Sequence, residues 1–452
     1  MMLVWTKELA DLVGKEKLLL GFDQVDKLSK DYYWYSPVLE PLLRDKRADA
    51  IVVPETEDQV ALVLAFAYRH GIPVTTRGSG TGNYGQAVPL EGGIVLDLSR
   101  LNAVHEVTDD YARVQAGVRL GALEKLLREQ GKELRIYPST FMKATVGGFI
   151  CGGSGGIGSI TWGNLWDGNV LEAVVYTIEE KPRRLIVHGP ELSAYIHNYG
   201  TSGILTELKI PISRKVPWRQ TVVQFDDFEA AYRFSHAVAL DDVIRKRLVA
   251  PVEWPIPSFF KPIAHQLEPG ASACLLETEE GTENALAAHA ASVGGRIGYV
   301  IPSDQYRKTI GLSDFTWNHT TLWALKTDPS LTYLQAGFHP VDFPRQIGQI
   351  KAEFGDEVLL HLEFMRSAGV IVPAALPIVR YTTHERLYEI IAFFRSIGVG
   401  INDPHTWMLE MGGRGQMEAM LAAKRANDPR SLFNPGKLQI PAAQETIRSD
   451  ER

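Results

Sequence analysis

The chain is poor in cysteine. Cys151 and Cys274 are its 2 cysteines in 452 residues, too few for a disulfide framework or a four-thiolate zinc site. They fit a reducing compartment, and a cytoplasmic protein is expected. A basic excess is also missing: Lys and Arg number 47 against 54 Asp and Glu, a formal charge of −7. That balance argues against nucleic acid as the main partner. Long apolar runs are absent too. Lys7, Glu8, Asp11 and Lys15 interrupt the opening segment, so no export leader is expected. The weakly charged run 369–379 holds Pro373 and Pro377 and is too short to cross a bilayer, so no membrane span is expected. Apolar residues in general are not scarce. They make up 45% of the chain against 22% charged, enough to exclude disorder as the dominant state.

The periodicity predicts an α+β protein. Leu3, Leu9, Leu12 and Val13 suggest a helix packing one face. Residues 50–54 (AIVVP) read as a buried strand, and the Thr56/Gln59 spacing caps a helix that Gly71 ends. Strands are expected at 72–76, 94–98, 113–118, 170–178, 184–187 and 204–212, and a helix at 120–131. Beyond Pro211 the pattern changes. TVVQF, RLVAPVEW, ACLLETE, TLWALK, LTYLQAGF and VLLHLEF read as strands, alternating with helices near 227, 283–293, 345–354 and 384–397. This order suggests an antiparallel sheet with helices on one face. Residues 442–452 are polar and expected to fray.

Two glycine-rich segments carry the chemistry, RGSGTGNYG (77–85) and ATVGGFICGGSGGIG (144–158). Each contains a literal G-x-G-x-x-G: Gly80, Gly82 and Gly85 in the first, Gly153, Gly155 and Gly158 in the second. A Rossmann site requires a helix opening at the motif. QAVPLEGGIVLDL follows the first and SITWGNLWDGNV the second, and both read as poor helix formers. Glycines can instead let successive backbone N–H groups converge on an anion with no helix at all. Two such segments could clamp a diphosphate from two sides. The plain alternative is a sheet-rich binding protein whose glycines make tight turns.

Residues 48–212 resemble the FAD-binding domain of the FAD-linked oxidases of the vanillyl-alcohol oxidase / p-cresol methylhydroxylase (PCMH-type) superfamily. The matching pieces occur in family order: IPVTTRGSGTGNYGQ, GGIVLDLSRLN, VQAGV, YPST, ATVGGFICGGSGG and GTSGILTE, then NDPRSLFNPGKL near the end. The resemblance implies an α+β fold in which a two-subdomain FAD-binding domain (1–212) carries an α+β cap (213–415), with an antiparallel sheet over the flavin. A C-terminal segment (416–452) returns to the FAD domain. It further implies that Gly78, Ser79, Gly80, Thr81, Gly82, Asn83 and Gly85 wall the pyrophosphate. Ser139, Thr145, Gly147 and Gly148 would line the ribityl and ring side. Ser154, Gly155 and Gly158 would face the diphosphate, and Ile204 would lie near the adenine. Thr81 and Lys143 stand where family members with a covalent linkage carry His and Cys, so noncovalent FAD is expected.

The substrate half offers weaker signals. Alternation places His361 and Glu363 of HLEFMR on one strand face with Arg366 opposite, and Trp317, His319 and Trp323 of TWNHTTLW on one face. His405, in a Pro–His–Thr–Trp turn, is the first choice of base, with Glu363 and His361 as further catalytic candidates. Arg414 is the candidate for positive charge near the ring, and Lys437 the plainer option. The G-D-G-N-x-H stretch of the D-2-hydroxy-acid branch is absent, so no metal is expected. The expected function is oxidation of a C–OH or C–NH centre of a small molecule, with electrons passing to oxygen or a separate acceptor. A non-redox enzyme of the ether-lipid synthase type is the alternative, as is a glycolate- or D-lactate-type dehydrogenase without the usual metal. Oligomeric state is left open, a homodimer included.

Overall fold

The computed structural model describes residues 4–439. The expected frayed tail at 442–452, and Leu3, lie outside the described residues. The N-terminal helix is Val4–Val13, and Leu9 and Val13 are buried on it.

Three strands, Ala50–Val52, Ile94–Asp97 and Val74–Arg77, form a parallel core with Ile94–Asp97 in the middle, and Leu18–Leu19 pairs antiparallel at one edge. The helix Glu57–His70 crosses between two of them. Thr56 Oγ1 accepts the Gln59 N–H at 3.2 Å at its start, and Gly71 ends it at φ +65°. Val60, Val63, Leu64, Phe66 and Ala67 form its buried face. Each large apolar side chain buried there contributes roughly 1.5–3 kcal/mol.

The second sheet is antiparallel. Its strands are Val104–Val107, Tyr111–Gln115, Ile204–Arg214, Glu172–Tyr176 and Arg184–His188, with Lys132–Leu134 also paired to the long Ile204–Arg214. Glu57 ties the two sheets together through Arg184 Nε at 2.8 Å and the Thr206 hydroxyl at 2.6 Å.

Past residue 215 three more sheets follow. Lys246–Val252, Ser272–Glu279, Trp218–Phe225 and Arg296–Ile301 make an antiparallel sheet. Leu331–Tyr333, Ile378–Arg380 and Val358–Leu359 make a small one, and Leu362–Ser367, Val370–Ala375, Ala336–Gly337 and Gly400–Ile401 the last. The helices Phe228–Leu240, Glu283–Ser292, Phe343–Phe354 and His384–Ser396 fall where periodicity put them. A buried ion cluster joins this half to the first: Arg247 donates to the Leu134 carbonyl at 2.7 Å, and Glu133 accepts from Trp218 Nε1 at 3.0 Å and from Arg128 at 2.7 Å.

Two local expectations are corrected. TLWALK is not a strand but part of the helix Asn318–Thr327, which buries Thr320, Thr321 and Ala324 at helical spacing. Trp317, His319 and Trp323 therefore do not share a strand face. The second glycine segment is also not free of helix: Val146–Gly152 is helical, and Ser159–Trp162 forms a single turn. Thr145 Oγ1 accepts the Gly148 N–H at 3.1 Å, and Val146, Phe149 and Ile150 are buried. The cap and the apolar burial outweigh the helix cost of the glycines.

Candidate functional site

The first glycine segment leaves the parallel core at Arg77 and runs as irregular backbone. Arg77 donates to the Lys30 carbonyl at 2.6 Å, anchoring its base. Gly80 has φ +61°, and a Cβ there would lie 2.2 Å from the Arg77 guanidinium. Only glycine accepts both conditions. The second segment meets the first directly. A Cβ on Gly78 would fall 2.2 Å from Thr145 Oγ1 and 3.5 Å from Gly148 Cα. Gln86 Nε2 donates to the Gly152 carbonyl at 2.7 Å, a second tie between the segments.

The chain's end closes this region. Val74 N–H donates to Leu432 O at 2.8 Å, and Asn434 Nδ2 donates to Gln86 O at 2.9 Å and Tyr199 O at 2.8 Å. Buried Lys437 donates to Gly85 O at 2.5 Å.

Between the glycine segments and the last sheet lies a cavity of about 580 Å³. Gly78, Ser79, Gly80, Thr81, Gly82 and Asn83 line it from one side, and Thr145, Gly147, Gly148, Ser154 and Gly155 continue the wall. The backbone N–H groups of residues 79–83 find no acceptor among the described residues. On the same wall Thr76 Oγ1, Asn83 Nδ2 and Trp166 Nε1 are buried without a partner. A run of amide donors without acceptors suits a bound anion such as a diphosphate. The orphaned side-chain groups add polar partners for a larger ligand.

Four of the sequence-selected cofactor residues do not line the cavity. Gly85 turns at φ +74° under Leu43. Gly158, at φ +97°, packs on the Arg135 carbonyl. Ser139 and Ile204 are buried beneath the surface, next to the lining residues Pro138 and Leu205.

The catalytic candidates divide. Arg414 lines the cavity, is buried, and sits 4.1 Å above the Tyr84 ring. It donates to Thr406 O at 3.0 Å and to Asp403 O, and its Nε is unpartnered among the described residues. His405 does not reach the cavity. Its Nε2–H donates to Tyr333 O at 2.9 Å, and Nδ1 accepts from the Ser36 hydroxyl at 2.7 Å. Burial pushes its pKa down to about 4. It is a neutral structural histidine, so its placement as a base is corrected.

His361 and Glu363 do share a face, as alternation requires, and bond to each other at 2.8 Å, both fully enclosed. Glu363 Oε1 also accepts the Trp317 N–H at 2.7 Å, and burial raises its pKa. Trp317, at φ +53°, lines the cavity in front of the pair. His361 and Glu363 thus stand behind the wall and hold Trp317 in place.

Two wall residues escaped the sequence reading, His197 and Tyr199. Both have positive φ, +56° and +54°. His197 Nδ1–H donates to Gly153 O at 2.9 Å, and the Tyr199 hydroxyl approaches Nε2 at 3.4 Å. Burial, then the Arg414 charge, pushes the His197 pKa down to about 3. The signal was the stretch IHNYG just upstream of GTSGILTE. Cys151 also lines the cavity, and burial pushes its thiol up to about 12, which leaves it unreactive.

An FAD binding domain family matches residues 48–180. An uncharacterized FAD-linked oxidoreductase of Mycobacterium tuberculosis is 33% identical over 160 residues, covering 35% of this chain and 33% of that protein. The glycolate oxidase subunit GlcD of Escherichia coli is 29% identical over 208 residues, 44% of this chain and 40% of that one. A D-lactate dehydrogenase of Archaeoglobus fulgidus is 29% identical over 208 residues, 41% of this chain and 45% of that one. The chain therefore matches less than half the length of each of these relatives. The structure of an alkyldihydroxyacetonephosphate synthase superposes with a TM-score of 0.74 at 15% identity, covering 96% of this chain and 84% of that one, which shows a common fold. The chain carries a PCMH-type FAD-binding domain over residues 48–180, and over nearly its whole length it shares the fold of the synthase.

Proposed function

We propose that the protein is an FAD-dependent oxidoreductase that oxidises a C–OH (or C–NH) carbon of a small organic molecule. The observation that carries this reading is the convergence of both glycine segments on one cavity, with acceptor-free amides at residues 79–83. In it, Gly78 to Asn83 hold the diphosphate, and Thr145, Gly147, Gly148, Ser154 and Gly155 hold the opposite side. Bound FAD supplies the two-electron acceptor for substrate hydride. Arg414, whose charge faces the cavity, would offset negative charge that builds up on a flavin held there. Trp317, held by Glu363, and Tyr84, bonded to Gln335, orient the substrate and exclude water. The hydroxyl proton leaves to a wall group or to solvent, and the electrons pass on to oxygen or another acceptor.

The flavin is noncovalent in this reading, because Thr81, Lys143 and unreactive Cys151 offer no tether. In this reading the FAD domain ends with the strand Ile204–Arg214 rather than at residue 212, because Ser213 and Arg214 still pair with Glu133 and Lys132; the cap runs on to residue 415 and the returning segment is 416–452.

Anaerobic incubation of the yellow holoprotein with alcohols, amines and hydroxy acids tests the reading. Bleaching, with electron transfer to oxygen or a dye, supports it. Product formation without net electron transfer would instead favour a synthase-type, non-redox use of the flavin.

A further inference from the structure

We propose that the diphosphate end of this cavity contains a proton-binding pair, Asp31 and Lys437, and that FAD binding draws a proton into it. The proposal rests on the flavoenzyme reading above and makes the proton a second ligand of the same site.

Asp31 is the one carboxylate among the described residues that line the cavity. It stands on the arm that precedes the parallel core, and that arm is tied to the first glycine segment on both sides. Tyr32 N–H donates to Gly82 O at 2.7 Å. Asp31 Oδ2 accepts the Ala87 N–H at 3.2 Å, and Oδ1 accepts the Tyr33 N–H at 3.0 Å. These bonds fix a buried carboxylate on the wall that also presents the acceptor-free amides of residues 79–83.

Lys437 arrives from the other end of the chain. Its ammonium is fully buried and bonds Gly85 O, two residues before Ala87. Lys437 and then Arg77 attract the Asp31 carboxylate through space, and Lys46 opposes the Lys437 charge. The phenols of Tyr33 and Tyr199 are the other ionisable groups that feel Asp31. Burial pushes the Asp31 pKa up to about 6 and the Lys437 pKa down to about 7. The pair therefore changes charge near neutrality.

The rest of the wall does not. Its other ionisable groups are Arg77, Tyr84, Cys151, His197, Tyr199 and Arg414. The guanidiniums stay charged. Burial pushes both phenols and the thiol up, and His197 down to about 3. A diphosphate laid on residues 79–83 therefore meets one carboxylate and one partly charged ammonium. Its negative charge favours the protonated form of each, and burial keeps that effect strong. Below about pH 6 the empty site already holds both protons, so FAD affinity is highest there. As pH rises through 7 the empty site loses protons that the loaded one keeps, and affinity falls, by up to about tenfold per pH unit for one proton.

The test is calorimetric titration of apoprotein with FAD at pH 7, in two buffers of different ionisation heat, which counts protons directly. Wild type should take up roughly half a proton to one proton per FAD, and its Kd should rise at least threefold from pH 6.5 to 8. The double variant Asp31→Asn/Lys437→Met should take up none and bind FAD equally at both pH values. Asp31→Asn alone should bind FAD at least threefold more tightly than wild type at pH 8, where it removes a negative charge from the wall. Zero proton uptake by wild type would overturn the proposal, and that arm needs no variant. So would a double variant that keeps the wild-type pH slope, or an Asp31→Asn protein that binds FAD no better than wild type at pH 8. Wild type that takes up no FAD at any pH would instead sink the flavoenzyme reading.

Discussion

Protonation of His405 gives the sharpest check on its reassignment from base to structural support. Its ring is enclosed, with Nε2–H given to Tyr333 O at 2.9 Å and Nδ1 accepting from Ser36 at 2.7 Å. Adding a proton to Nδ1 forces the Ser36 hydroxyl to turn from donor to acceptor and buries a charge. The folded pKa is about 4 against 6.5 for the free side chain. Between those values the unfolded chain binds the extra proton and the folded one does not, so stability rises with pH through that window and is lost as pH falls. A 2.5-unit gap corresponds to about 3 kcal/mol. The perturbation is His405→Asn, with denaturant unfolding of holoprotein measured from pH 4 to 7. Wild type should be more stable than the variant at pH 7 by roughly 2–4 kcal/mol, from two lost buried hydrogen bonds. That advantage should shrink by about 3 kcal/mol at pH 4. A pH-independent difference would refute the reasoning. So would a turnover profile whose limb near pH 6–7 disappears in the variant, the mark of a working base.

Gly80→Asp should fold, as judged by circular dichroism, yet retain no flavin after desalting, because the new side chain runs into Arg77 and places a negative charge among the amides. Cys151→Ser should keep its flavin, and acid should release it from both forms, which absorbance of the supernatant will show. Lys437, pushed down to about 7 by burial, gives stability that rises from pH 7 toward 10 as the unfolded chain alone stays charged. Lys437→Met should flatten that rise in thermal melts. Arg414→Gln should slow flavin reduction at least tenfold while FAD still binds; an unchanged rate in stopped flow would remove Arg414 from the site.

The elements most legible in the sequence were those with strong punctuation. Thr56, Gln59 and Gly71 bracket a helix that forms as spaced, and Asp227 caps another. TLWALK misled because a short apolar run satisfies both periods, and only the burial of Thr320, Thr321 and Ala324 together selects the helix. At Val146–Gly152 glycines suggested bare loop, but the Thr145 cap and three buried apolar side chains carry the helix. The glycine walls could be read from residue type, since positive φ and close approach demand glycine at Gly80. The catalytic side could not. Whether His405 or Arg414 faces the cavity depends on long-range partners, Ser36 and Tyr333 for one and Tyr84 for the other. The row of Ala374, Gly337 and Gly400 that lines the cavity exists only once three distant strands are in register.

The most direct test of the cofactor account is the visible spectrum of the purified protein, before and after acid precipitation. The account expects a flavin spectrum near one FAD per chain, with the colour passing wholly into the supernatant. Protein that stays colourless even with added FAD, or a pellet that keeps the yellow, would contradict it.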